Sequence, residues 1–391
     1  MQPHNISSYK ARALQRMKRK LAATKQCNKE RDTNPGYAMP IPFEVGLKLT
    51  NRCDLRCEHC FQWNDSGYHY HMDKKEIDRS GDLSIDIIRD VFEFTKPTDA
   101  MLYLWGGEPL IYQYWNELVE LLRNDPRETV VCTNGLSIVK KIDDLCSISE
   151  NLTVLVSIEG LEEQHNKLRG KNTFKRTMQG LDLLLEKRLI GEYQGMISVA
   201  AVLSDDLIES LYEFCSYFEE KNIDTLYINF PWYIPDDVAF GMDDFFRERF
   251  SWMGTDRSFR NSWHSFDFHV GPAKFELLKQ QLQRLSEKSW NLRIRFQPDL
   301  DEQEMIDFLQ GGTKPGQKKT RCLGISNRLD ILPNGTVTPC KKFIEFSVGN
   351  LYEKNLQDVW TGIPYNKFRE LHNNTLMPIC SKCEILYMNG V

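Results

Sequence analysis

From residue 43 to residue 235, short runs of β-branched and aromatic residues alternate with amphipathic stretches. This rhythm limits the fold more than any other feature of the chain. Strands are expected at 43–50, 101–107, 129–135, 152–160, 195–204 and 225–232, and helices at 86–94, 114–122, 174–187 and 208–221. Strands joined by helices cross over right-handedly and lie parallel, so the pattern predicts an α/β fold, and six strands suit a partial, TIM-like (β/α)6 barrel. In such sheets the chemistry gathers where the strands end. Four polar motifs fall there: residues 53–60, 106–109, 133–135 and 157–160.

The flanks read differently. The first 34 residues carry nine Lys or Arg against two acids, whereas the whole chain has a net charge of −5. Leu14, Met17 and Leu21 recur at helical spacing within 8–25, so residues 1–42 read as a basic arm and linker. That arm is either a solvated tail or a contact for an acidic partner. Residues 236–320 form an aromatic-rich bridge, with a helix expected at 273–288 and a strand at 292–297 closed by Pro298. Within it, Trp252, Phe259, Trp263 and Phe266 either cover the barrel mouth, together with the loop 66–75, or form local core. The basic, turn-rich stretch 311–319 precedes a small cysteine-rich β-hairpin and helix domain, 321–391. Its hairpin signal is Pro333-Asn334-Gly335. With 41% hydrophobic residues the chain can bury a core. A mild net charge argues against a nucleic-acid binder. No apolar run reaches membrane-spanning length and the first ten residues lack a signal-peptide core, so a cytoplasmic setting is expected.

Eleven cysteines in a reducing compartment point to metal or chemistry over disulfides. Cys53, Cys57 and Cys60 follow the first strand on one short loop. Three thiolates can cap three corners of a cubane iron–sulfur cluster and leave the fourth iron open to a ligand. The competing reading is a structural zinc ion completed by His59, His69 or His71, in a metal-stabilised binding module.

The triple, CDLRCEHC from 53 to 60, resembles the hallmark of the radical S-adenosylmethionine (radical SAM) superfamily. Gly106-Gly107-Glu108-Pro109 resembles its second mark. The resemblance implies that Gly106, Gly107 and Glu108 hold the amino group of the cosubstrate methionine. SIEG at 157–160 and HNKLRG at 165–170 resemble further family segments. They imply Ser157 and Arg169 as carboxylate ligands, a guanidinium fork suiting a carboxylate. Glu159 stands where Asp is commoner, which puts any contact by it in doubt. His59 and Asn134, the latter in a family-like TNG, are taken as further cosubstrate contacts.

Cys322, Cys340, Cys380 and Cys383 resemble the Twitch domain, the short form of the SPASM domain. That implies one auxiliary 4Fe-4S cluster closed by four thiolates, beside the 4Fe-4S cluster that binds S-adenosylmethionine. A zinc ribbon is the competing reading. Cys146 and Cys215 read as helix-face core. Cys132 could face the barrel and give a hydrogen atom, as in some related epimerases, or be a small hydrophobe.

The resemblance implies a radical SAM oxidoreductase or maturase. Reductive cleavage of S-adenosylmethionine yields a 5′-deoxyadenosyl radical, which takes a substrate hydrogen, and the auxiliary cluster accepts an electron. Oxidative modification or crosslinking of a ribosomally made peptide is expected, with a dehydrogenase or epimerase of an aminocyclitol or sugar as the alternative. A flavodoxin or ferredoxin-like reductant is implied. The first 42 residues are too short for the leader-recognition domain of many maturases, so a separate recognition protein is expected.

Overall fold

The structure is a computed structural model and describes residues 2–6, 11–70, 81–253 and 260–391, of which 11–13 only as backbone. His71, the end of the 66–75 loop, Phe259 and residues 1 and 7–10 of the basic arm lie outside the described residues. Strand β1 (His4–Asn5) precedes the helix Ala11–Thr33. Next come β2 (Glu44–Lys48), β3 (Met101–Trp105), β4 (Thr129–Thr133), β5 (Leu152–Ser157), β6 (Met196–Val202) and β7 (Thr225–Asn229). The six strands read from the sequence are these, paired in order and all parallel.

Alternation along each strand separates two faces. Val45, Leu47, Leu102, Leu104, Val131 and Val154 are fully buried under the helices. The alternate positions, among them Tyr103, Cys132, Leu155, Ser157 and Tyr227, are half-buried and face the barrel interior. The helices pack their apolar stripes on the outer face. Ile85–Thr95, for example, starts at Ser84, whose side chain accepts from the amide of Asp86, and buries Ile87, Ile88, Val91 and Phe92.

The sheet does not stop at six strands. The short β8 (Ser289–Trp290) pairs with β1. β9 (Arg293–Gln297) adds a parallel strand beside β7. At the other edge β10 (Arg328–Ile331) pairs parallel with β2, and β11 (Thr336–Thr338) and β12 (Gly349–Asn350) continue antiparallel. The order is β12-β11-β10-β2-β3-β4-β5-β6-β7-β9, ten strands in one sheet. The six-stranded barrel expected from the sequence is thus extended at both edges, and the cysteine-rich hairpin is part of the barrel sheet. Residue patterns mark strands, but pairing between residues almost three hundred positions apart leaves no local trace.

The seam between β2 and β10 is polar and tightly specified. Arg328 donates to both oxygens of Asp330, at 2.7 Å each, and to Glu44. A Cβ on Gly46 would sit 1.9 Å from an Asp330 carboxylate oxygen, so only glycine fits there.

Two expectations are corrected. The basic arm is not a solvated tail: Ala11–Thr33 is a helix that docks one stripe on its own chain. Arg31 is fully buried and donates to the carbonyls of Cys322 (2.8 Å) and Arg369 (2.7 Å). Cys27 is fully buried too, and Lys20 pairs with Glu44. The apolar positions that suggested the helix, Leu14, Met17 and Leu21, are exposed. The docked stripe is Ala23, Thr24, Cys27 and Arg31, whose polar members hid it. Second, the bridge holds the helix Asp236–Phe250, and the helix expected at 208–221 is two, Asp205–Glu209 and Leu211–Glu220. Trp263 and Phe266 are core, as Cys215 is, while Cys146 is half-buried against it. Trp252 is half-buried and its indole donates to the Arg249 carbonyl at 2.9 Å.

Candidate active site at the barrel mouth

The cysteine loop leaves β2 and is clamped by the ends of the next strands. Gly107 and Glu108 donate their amides to the carbonyls of Thr50 and Arg52, each at 2.8 Å. A Cβ on Gly107 would lie 2.0 Å from the Arg52 carbonyl oxygen. The glycines of the second motif therefore admit the cysteine loop itself. The Gly106 carbonyl accepts from the Gln62 side chain at 3.0 Å. From β4, Asn134 donates to Asp54 at 2.7 Å. From the helix Glu162–Arg169, the Leu168 carbonyl accepts the Glu58 amide at 2.9 Å.

Three thiols share this loop. Burial pushes Cys57 up to about 11, with Arg169 pulling it down and Cys60 pushing it up. Burial also raises Cys53, and Cys57 and Cys60 add to the rise. Cys60 is raised by burial against the pull of backbone amides and of Arg169 and Lys48. Three mutually repelling buried thiols can all ionise only around a positive core, which is what an iron–sulfur cluster provides. Among the described residues, no three His, Cys, Asp or Glu side chains close on one point as a single ion requires. A cubane takes one thiolate per iron and so keeps its ligands farther apart, and the donor set fits it.

Glu108 was expected at the methionine amino group. It is buried, and its carboxylate accepts from Thr133 (2.7 Å), the Asn134 amide (2.7 Å) and the Leu110 amide (3.0 Å). Burial raises it to about 7 despite these bonds. It ties the end of β3 to the end of β4. The Ser157 hydroxyl is half-buried and has no hydrogen-bond partner among the described residues.

The residue the sequence left in doubt is the hub. Buried Glu159 takes both Nε (3.0 Å) and Nη2 (2.6 Å) of Arg169 and the Val202 amide (2.6 Å). His59 lies 3.4 Å from the same carboxylate. Burial works to raise Glu159, but Arg169 and His59 hold it well below the usual carboxylate range. Arg169 thus stands oriented beside Cys57 and Cys53, whose thiols it feels. An acid two residues past Ser157 followed by an arginine ten residues on was the available signal.

The second cysteine set comes from three segments. Cys322 precedes β10, Cys340 follows β11, and Cys380 and Cys383 flank one 3-10 turn in which the Cys383 amide donates to the Cys380 carbonyl at 3.1 Å. Burial raises all four, to about 12 for Cys383, and Cys340, Cys380 and Cys383 each feel Cys322. This set too fits a cluster ligated by four thiolates. Cys132 is half-buried and faces the interior near Tyr103.

Comparison with known proteins gives the class. Residues 47–215 match the radical SAM superfamily, and residues 322–384 match SPASM, an iron–sulfur cluster-binding domain. The chain carries a radical SAM domain and a SPASM-type iron–sulfur domain and is an enzyme; its cofactors are S-adenosylmethionine and two iron–sulfur clusters. It is similar to the tungsten-containing aldehyde ferredoxin oxidoreductase cofactor-modifying protein of Pyrococcus furiosus, 22% identical over 364 residues, covering 87% of this chain and 86% of the relative. It is also similar to the serine-type anaerobic sulfatase-maturating enzyme of Bacteroides thetaiotaomicron, 23% identical over 360 residues, covering 86% and 78%. Among solved structures, Streptococcus suis SuiB bound to precursor peptide SuiA shares the fold, with a TM-score of 0.56 at 17% identity over 89% of this chain and 69% of that one. Among the described residues no helix is long and apolar enough to cross a membrane.

Proposed function

We propose that the chain is a maturase that oxidatively modifies or crosslinks a peptide made on the ribosome. The observation that carries this reading is the shared mouth. The loop 53–60 and the segment after Cys340 meet over it, where Phe61 and Lys342 sit 5.6 Å apart. When bound, the clusters and S-adenosylmethionine supply reductive sulfonium cleavage, hydrogen abstraction by a deoxyadenosyl radical, and an acceptor for the substrate electron.

In this reading Cys53, Cys57 and Cys60 hold the first 4Fe-4S cluster, and Cys322, Cys340, Cys380 and Cys383 the auxiliary one. Arg169, oriented by Glu159, and Ser157 hold the cosubstrate carboxylate. His59, packed on Phe268 at 5.7 Å, closes that side against water. Gly106, Gly107 and Asn134 border the methionine, with Glu108 fixing them. Cys132 is the hydrogen donor only if the product is an epimer.

Support for a peptide comes from relatives matched over 38% and 39% of this chain. They are named for sporulation killing factor maturation and for subtilosin biosynthesis, both in Bacillus subtilis. The Pyrococcus furiosus relative, named for modifying a cofactor, favours a small-molecule substrate as the second reading. A cytoplasmic setting suits eleven free thiols. A flavodoxin or ferredoxin-like donor completes the proposal, with a separate leader-recognition protein where a leader is used.

Anaerobic reconstitution tests the reaction. Brown protein with about eight irons per chain that releases 5′-deoxyadenosine under dithionite is the expected result. Colourless zinc protein, or no deoxyadenosine, overturns it.

A further inference from the structure

Where the segment after Cys340 meets the end of the cysteine loop, the barrel mouth carries more cation than anion among the described residues. Lys341 and Lys342 both reach Glu384, at 3.6 Å and 3.1 Å, so two ammonium groups share one carboxylate. Lys341 lies 3.9 Å from the Tyr103 ring centre and 5.3 Å from that of Trp105. Lys48, at the end of β2, lies 5.6 Å from the centre of the same indole. Its ammonium donates to the Tyr68 hydroxyl at 2.8 Å, and among the described residues it has no carboxylate partner. Trp105 is more than nine-tenths buried, and among the described residues its indole N–H has no hydrogen-bond acceptor. The other charges near this interior are spoken for: Arg328 by Asp330 and Glu44, and Arg169 by Glu159.

Three ammonium groups and a spare N–H against one carboxylate leave donors without an acceptor. An unpaired buried donor is costly, and a charged acceptor is the strongest remedy. Lys341 and Lys342 are the half-buried members and so the reachable ones. Beside them Trp232, 3.5 Å from Lys342, stacks on Phe266 at 5.8 Å, which stacks on Phe61 at 4.6 Å. An anionic head and an apolar flank are accommodated together.

We propose that Lys341 and Lys342, backed by Trp105 and Lys48, bind a carboxylate of the substrate and so select substrates carrying one beside the hydrogen that is removed. The inference rests on the barrel mouth being the substrate site. The carboxylate belongs to an acidic side chain if the substrate is a peptide, or to a free acid if it is small.

The test pans a displayed library of random short peptides against the anaerobically purified, cluster-loaded full chain. Glutarate and its diamide serve as free-acid probe and control in thermal-shift titrations. About tenfold enrichment of Asp or Glu at one position, or protection by glutarate alone, is expected, and which of the two occurs identifies the source. Lys342→Gln and Lys341→Gln should lower that enrichment or protection at least about fivefold, and Lys342→Arg should restore it. Trp105→Phe, which keeps the ring and removes only the N–H, should weaken it about threefold, and it decides the matter if the lysine variants lose iron. No acidic preference in the unaltered chain, or a preference that survives all these substitutions, overturns the proposal. If the lysines serve only to offset thiolate charge, the Lys→Gln variants shift cluster reduction and leave selection intact, which also overturns it. Deoxyadenosine release is scored separately: its absence would defeat the proposed reaction and leave the binding result standing.

Discussion

The two cysteine sets solve one problem in opposite ways. The first is local, with three thiols on eight residues, and its geometry is imposed from outside by glycines, Glu108, Asn134 and Gln62. The second is dispersed over 322–383, and the fold gathers it: the seam at Arg328, the hairpin and the buried Arg31 bring its segments together. The first set stands beside an oriented arginine, and the second is gathered at the sheet extension. A local set therefore asks for a clamped loop, and a dispersed one asks for a finished fold.

The sharpest way to break this comparison is to remove one thiol from each set. Cys57→Ala should abolish deoxyadenosine formation, by more than about 100-fold, whereas Cys340→Ala should keep cosubstrate cleavage and lose the modified product. Chromatography of both products reads this out, and equal losses would erase the distinction. Next, Gly107→Ala places a methyl carbon 2.0 Å from the Arg52 carbonyl oxygen. It should cost about 3 kcal/mol and loosen only the first set, seen as a lower melting temperature with loss of about half the iron.

Arg169→Lys keeps the charge and loses the fork held by Glu159. It should weaken S-adenosylmethionine binding about tenfold in calorimetry, or roughly 1.4 kcal/mol. The smallest effect concerns the seam. Burial acts to raise Glu44, but Arg328 and Lys20 win and hold it at about 2, below the usual 4.5. A lowered carboxyl stabilises fully above its unfolded value and loses that stability as pH falls toward its folded one. Between pH 4.5 and 3.5 the protein should lose about 1 kcal/mol in urea unfolding that Glu44→Gln does not lose.

The contrast also explains what the sequence disclosed. Strand and helix periodicity, the cysteine triple and the glycine pair are local, and the six central strands and the first site were legible from them. Glu159 was undervalued because its significance lies in Arg169, ten residues away, and in His59, a hundred residues before it. Strands β9 and β10 could be read as strands, but not as the edges of the barrel. The docked face of Ala11–Thr33 was missed because it is closed by buried Arg31 and Thr24, which hydropathy counts as solvent-facing. The lysines of the mouth carry no motif, and only the meeting of 48, 105, 341 and 342 in space gives them a role.

A hydrogen-bonded sheet is also a ruler. Because β10 and β11 continue the barrel edge strand by strand, each step of about 4.8 Å is set by backbone spacing and not by a hinge. Electron tunnelling between the metal centres would then run over a gap that the sheet helps to hold, so its rate should respond to driving force and reorganisation energy more than to spacing.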